Sequence, residues 1–470
     1  MTLTAQTAEG AARALAIAGL ALLLAPALAR LLAHTHGRQR TLVWALLLAP
    51  LLTPALLVSY AYSHVALRLL AVPGATSALY CVALMLKLVP VAALILHFVP
   101  PAMSPEAVHA HALLARSRWE RWSFRLRGAG RAPWIAGGLV LLFAFTDFEL
   151  ASLWSLKTWT VALFDAQAGG LALGESLRLA ALPLGIEIAV LACILRAPAL
   201  AGAQGGGGKA PGRIARPALL AYLGGTALLA CGWPLVWVTA QAAAGCRAVA
   251  ENFVLANDLA ASLGFAATAT LGAWLLSRVA RTPRPRLSDG RPRPWFGGRG
   301  VRRTAADEGV RATVLAAPGL LGALLLSLAL LAAFQLPLLH PAYDTPLPLL
   351  LALTLLLLPF ALPLRWLLDA TRRAPALHLA KLSNSSALIW QLDTRRRWLA
   401  AFLLFCSAYF DFTAGSILAP VGLTPVFVRL HNLAHYGQTA VLSAMFLAAF
   451  AAPVAVLLLT APAARWYARR

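Results

Sequence analysis

Charge is scarce in this chain. Asp, Glu, Lys and Arg make up only 12% of its 470 residues, against about 25% in a soluble globular protein. That contrast excludes a large soluble helical protein. Acid is scarcer still, with 17 Asp and Glu against 40 Lys and Arg. Cysteine is sparse and scattered: Cys81, Cys193, Cys231, Cys246 and Cys406 form no CxxC or Cys/His spacing that would hold a metal. They read as small core residues. No HExxH, GxSxG or GxxxxGK[ST] pattern occurs, so no enzymatic centre, cofactor or metal is expected, and ATP hydrolysis is not expected of this chain. No basic stretch precedes the first apolar run. Ala11 to Leu32 is therefore expected to be a retained span rather than a cleaved signal.

What the chain has in abundance is apolar sequence, 60% of its residues, with a mean hydropathy of +0.74. Long segments with few or no charges recur from end to end, the pattern of an all-α polytopic membrane protein. Eleven spans are expected, near 11–33, 41–62, 77–100, 134–156, 175–196, 216–240, 251–277, 312–337, 345–367, 398–420 and 438–461. A net charge of +23 would suit a nucleic-acid binder, but its placement argues for topology instead. With loops assigned alternately to two sides, 33 of the 40 Lys and Arg fall on one side. By the positive-inside rule that side is cytoplasmic, the N-terminus is outside and the C-terminus is inside.

The chain also repeats itself. Trp134 to Leu163 returns in diverged form as Trp398 to Phe427: an apolar run, an Asp-Phe pair (Asp147-Phe148, Asp411-Phe412), a small-residue segment, a Thr, and more apolar residues. Upstream, His109, Leu113, Ala115 and Ser117 match His378, Leu382, Asn384 and Ser386 with the same internal spacing. A loop indel accounts for the unequal offsets of the two landmarks. The reading is therefore two tandem units: 1–200 with five spans, a Gly-rich linker at 201–215, and 216–470 with six, the span near 216–240 having no counterpart in the first unit. The duplicated loops at 101–133 and 368–397 carry short amphipathic helices on the cytoplasmic side, suited to anionic headgroups or to a protein partner. Two equivalent loops favour a partner with two equivalent sockets. The Arg-, Pro- and Gly-rich loop at 278–311 reads as unable to bury a core and as a lipid-facing electrostatic element.

Charges within spans, Lys87, Asp147, Glu149, Glu187 and Asp411, are functional candidates by their cost. Asp147 and Asp411 stand out because both copies keep them. They could cap a broken helix or fix packing, line a translocation path with Phe148 and Phe412 where repeats ordinarily place one, or relay protons. His109 and His378 read as solvated loop residues.

The order of spans, the cytoplasmic loop after the third, Asp147-Phe148-Glu149, and the stretch Arg429 to Leu447 with His435-Tyr436-Gly437 together resemble the inner-membrane permease subunits of binding-protein-dependent ABC importers. The similarity is to the fused two-unit iron(III)-type permeases, whose relatives include thiamine permeases. In that family an EAA...G loop forms a coupling helix on the ATPase. Carried over, the Glu position falls on His109 and His378, the second Ala on His111 and Ala380, and the Gly on Ala115 and Asn384. The resemblance implies two copies of an ATP-binding cassette subunit as partners, an external substrate-binding protein, and residence in the plasma (inner) membrane. It also implies alternating access driven by ATPase closure, with an iron(III)-like or thiamine-like solute as cargo. A proton-coupled secondary transporter and a membrane-embedded lipid-modifying enzyme are the other classes the sequence leaves open.

Overall fold

The computed structural model describes residues 2–99, 105–196, 215–250, 253–279, 314–370, 374–383, 385–434 and 439–467. Among them the chain is helical and contains no strand. Eight helices are long and apolar enough to cross a membrane, or up to ten if each of two bent helix pairs is one span. The chain is an all-α, multi-pass membrane protein. Nearly all of the 201–215 linker and of the 278–311 loop lies outside the described residues, as do Ser104, Asn384 and His435 to Gly437.

Two compact units divide the chain, Met1–Gln241 and Ala242–Arg470. The first opens with α1 (Leu3–His34), a bent pair α2 (Gly37–Leu52) and α3 (Ala55–Leu69), and α4 (Ala75–Phe98). A helical hairpin follows, α5 (Pro105–Leu114) and α6 (Arg118–Ala129), then α7 (Ala132–Phe145), the short α8 (Glu149–Leu153), α9 (Trp159–Ala168) and α10 (Leu173–Arg196). Ala215–Ala242 forms α11, with a π-helical turn at Leu228–Gly232.

The second unit repeats this order element by element. It has α12 (Phe253–Val279), a bent pair α13 (Val314–Leu320) and α14 (Ala323–Phe334), and α15 (Leu347–Ala370). Then come α16 (Ala374–Leu382), α17 (Ser386–Ile389) continuing through a π turn into α18 (Arg395–Tyr409), the short α19 (Thr413–Leu418), α20 (Val426–Ala434) and α21 (Thr439–Tyr467). Packing repeats as well. In the first unit α1, α4 and α7 form a three-helix core, as do α12, α15 and α18 in the second; α3 lies on α8 as α14 lies on α19.

The seams explain why these helices approach closely. Ala14, Ala18, Ala21 and Ala25 of α1 are buried, and so are Ala266, Ala269, Thr270 and Ala273 of α12. Between apolar spans there is little hydrophobic drive to associate, so small side chains that allow close contact set the interface. Gly319 shows the limit: a Cβ there would stand 2.2 Å from the Leu355 carbonyl oxygen.

One boundary differs from the sequence expectation. The span near 216–240, expected to open the second unit, packs against α2 and falls within the first compact unit. Its π turn supplies part of the reason. Tyr62 donates to the Leu229 carbonyl at 2.9 Å, and His64 stacks on Trp237 with ring centroids 4.6 Å apart. Arg216 adds a hydrogen bond to Gln39.

Candidate functional site: the paired helix breaks

In each unit the helix that opens the repeated segment stops early, α7 at Phe145 and α18 at Tyr409, with the aspartate two residues on. The stretches expected to be continuous at 134–156 and 398–420 are interrupted at this point. Asp411 shows the cause: its Oδ2 accepts the Ala414 N–H at 2.9 Å, and the Gly415 N–H is turned toward it. The carboxylate thus satisfies an orphan donor of α19 and sits at the positive end of that helix. Asp147 faces the Leu150 and Ala151 amides of α8 in the same way. The backbone agrees, since Phe148 and Phe412 both lead into the short helix from nearly the same dihedral angles, φ −115° ψ −40° and φ −102° ψ −42°.

A helix broken at membrane depth must find other partners for its carbonyls. In the first unit α9 provides them. Trp159 Nε1 donates to the Phe145 carbonyl and Thr160 Oγ1 to the Asp147 carbonyl, each at 2.9 Å. From the other side Ser59 of α3 donates to the Leu150 carbonyl at 3.3 Å, and Trp154 Nε1 returns a bond to the Ser59 carbonyl at 2.9 Å.

Around this shared backbone the two sites differ in chemistry. Asp411 borders a small cavity lined by Ser262, Phe265, Leu349, Leu353, Ala408, Tyr409, Gly415 and Pro425. The Asp-Phe alignment sets Ala408, Tyr409, Gly415 and Pro425 on Ala144, Phe145, Ala151 and Val161, and α1 and α4 pack on α7 as α12 and α15 pack on α18. From those packing helices the first unit contributes Arg13 and Tyr80, and the second contributes Ser262, Phe265, Leu349 and Leu353 to the cavity. The Arg13 guanidinium lies over the Tyr80 ring, 5.8 Å from its centroid, and pairs with Glu9 at 3.0 Å. The Tyr80 hydroxyl faces Asp147. Lys87 donates to the Thr53 carbonyl at 3.0 Å and faces Glu149 and Asp147. Among the described residues, Asp147 Oδ2 and Arg13 Nη2 are buried without a hydrogen-bond partner.

The structure thus places Asp147 and Asp411 as equivalents. Phe148 and Phe412 are both buried: Phe148 packs on Phe164 and Phe412 stacks on His431, with centroids 4.7 Å and 4.2 Å apart. Within the resembling stretch at 429–447, Arg429 pairs with Asp258.

The loop landmarks fall on the two helical hairpins, where His109 and His378 are exposed. Leu113 and Leu382 protrude at the ends of α5 and α16, 75% and 70% exposed. Ala115 ends α5, its N–H on the His111 carbonyl at 2.8 Å. Ser117 has a structural task, accepting the Glu120 N–H at 3.0 Å while the Glu120 carboxylate takes the Arg116 N–H at 3.0 Å. This is a capping-box arrangement, announced in the sequence by Ser117-x-x-Glu120. Ser386 opens α17, half-buried.

Arg13 and Tyr80 were not legible as site residues. Arg13 reads as a loop-side charge, and the Ala-rich helix that carries it has diverged too far from α12 for the repeat to align them. Among the described residues no group of three or more His, Cys, Asp or Glu could hold a metal ion. Compared with models of known protein families, with curated proteins and with solved structures, the chain matches none.

Proposed function

We propose that this chain is the membrane permease subunit of an ATP-binding-cassette importer, with eleven spans, an external N-terminus and a cytoplasmic C-terminus in the plasma (inner) membrane. The observation that carries the reading is the duplicated hairpin. Each unit presents a short helix after its third membrane-crossing segment, and each ends in exposed leucine, Leu113 and Leu114 in α5 and Leu382 in α16. Apolar tips on amphipathic helices suit grooves on a partner better than water. Two equivalent tips suit a partner of two equivalent subunits, as an ATPase dimer is. Arg116, Arg118 and Arg121 around the first tip and Lys381 beside the second would favour an acidic rim on each groove.

On this reading ATP closure draws the two hairpins together and alternates the access of the units to the two sides of the membrane. An external binding protein delivers an iron(III)-like or thiamine-like solute and supplies most of the selectivity.

The test is purification from the native membrane in mild detergent, with identification of co-purifying chains and their ATPase activity. Recovery of a nucleotide-binding subunit at about two per permease supports the importer. Its loss from the Leu113→Glu/Leu382→Glu variant, with the membrane domain intact, assigns the contact to the hairpins. An intact permease that never carries an ATPase overturns the reading.

A specific feature favours a second reading, a proton-coupled transporter. Glu187 of α10 is fully buried, and neither carboxylate oxygen has a hydrogen-bond partner among the described residues. Uptake that survives loss of every ATPase partner and collapses with the proton gradient would select it.

A further inference from the structure

Two broken spans meet in the first unit. The α2–α3 pair bends by 75° at Thr53-Pro54, where proline supplies no N–H and the helix ladder is interrupted. The α7–α8 pair breaks at Asp147. The breaks lie side by side, because α3 packs on α8 and Ser59 bonds across to the Leu150 carbonyl. Lys87 of α4 reaches both: its Nζ donates to the Thr53 carbonyl at 3.0 Å, and Glu149 and Asp147 are the carboxylates facing it.

The second unit has the same convergence without the cation. There α13 and α14 bend by 107°, with Gly322 at φ +78° carrying the turn, and α14 packs on α19. From Leu347 to Leu364 α15 carries no charged side chain, Leu321 stands at the bend as Thr53 does in the first unit, and Thr413 follows Asp411-Phe412 where Glu149 follows Asp147-Phe148. Ser327, the counterpart of Ser59, is buried with its hydroxyl unpartnered among the described residues. The cation and one of its two carboxylates are thus absent together, and the aspartate that caps the short helix remains. That is the pattern expected of a charge group present or absent as a set, since a buried ion without its partner is costly.

We propose that Lys87 is a positioning residue that ties the two broken spans of the first unit into one element, whereas the broken spans of the second unit are free to move separately. The tie has two parts, a hydrogen bond to a carbonyl that the bend leaves unpaired and charge compensation for the carboxylates of the second break. Its consequence is functional asymmetry between duplicated halves: the first unit holds its shape while the second supplies the larger internal motion. This goes beyond the importer reading and holds equally for a proton-coupled transporter.

Hydrogen–deuterium exchange on the full-length protein in nanodiscs tests it. In Lys87→Met, segments 50–60 and 146–158 are expected to exchange about tenfold faster or more, together, because one charge-assisted, partly buried bond and the facing carboxylates link both. Lys87→Arg should restore slow exchange in both segments. Should Lys87→Met fail to fold, the variant Lys87→Met/Asp147→Asn/Glu149→Gln leaves no buried charge uncompensated and is expected to fold with the same paired acceleration. Segments 318–326 and 408–420 should exchange independently of each other in the wild type. Acceleration confined to one first-unit segment, no acceleration, or a uniform rise across the unit would overturn the proposal.

Discussion

The two units have one backbone and two chemistries. In both, an aspartate caps a short helix in the middle of a broken span, and a bent helix pair lies against that break. Tyr80 and Lys87 face Asp147, Lys87 faces Glu149 as well, and Arg13 lies over the Tyr80 ring; the cavity beside Asp411 is lined by Phe265, Leu349 and Leu353 among others, with no cation among the described residues. The difference separates what the break requires from what was added to it. A capping carboxylate is common to both and suffices to end the helix. The cationic cluster belongs to one unit alone, so it serves something other than the fold the units share.

The largest contrast is expected from neutralising the aspartates. Asp147→Asn removes one of two carboxylates facing a partly buried lysine and is expected to cost about 2 kcal/mol, whereas Asp411→Asn keeps a capping oxygen beside Ala414 and should cost under about 1 kcal/mol. Thermal unfolding of both variants in one detergent reads the contrast, and equal losses would break it. Because Asp411→Asn is expected to stay folded, lost transport in that variant would assign Asp411 to the solute pathway.

Next in size is the glycine comparison. At Gly319 a Cβ would meet the Leu355 backbone oxygen at 2.2 Å, whereas at Gly138 it would meet the Ile194 side chain at 2.5 Å. Gly319→Ala should therefore lose about 2 kcal/mol or more. Gly138→Ala should lose less, since Ile194 can change rotamer. Melting temperatures that rank the pair in the opposite order would show that the α13–α15 contact yields more easily than its geometry suggests.

The smallest effect concerns the paired serines. Ser59→Ala removes a bond to the Leu150 carbonyl and is expected to cost about 1 kcal/mol. Ser327→Ala removes a buried hydroxyl with no partner among the described residues and should be neutral or stabilising. A cost at Ser327 equal to that at Ser59 would show that the second unit closes its break as the first does.

Much of this was legible in the sequence because it depends on local pattern. Apolar runs and the distribution of Lys and Arg announced helices and a membrane, since each follows from composition over about 20 residues. The duplication was visible through Asp147-Phe148 and Asp411-Phe412 because a helix break restricts what its residues can be. The loop landmarks were visible too, and Ser117 proved to be a cap with Glu120. Between α1 and α12 the repeat could not be read, because a seam of small residues accepts Ala, Gly, Ser or Thr almost interchangeably and retains no register.

By itself, then, the sequence determined an all-α chain of many apolar helices in two related halves, each with a polar loop and an aspartate at one position. Only the tertiary structure decided that the aspartates end helices within spans, that the span near 216–240 packs with the first unit, and that Tyr80 and Lys87 of α4 face Asp147, with Arg13 of α1 over the Tyr80 ring, whereas Asp411 borders a mainly apolar cavity. The reason is physical. A helix is specified by neighbours three and four residues away, but a buried charge is defined by the groups that face it, and those come from wherever the packing of helices brings them.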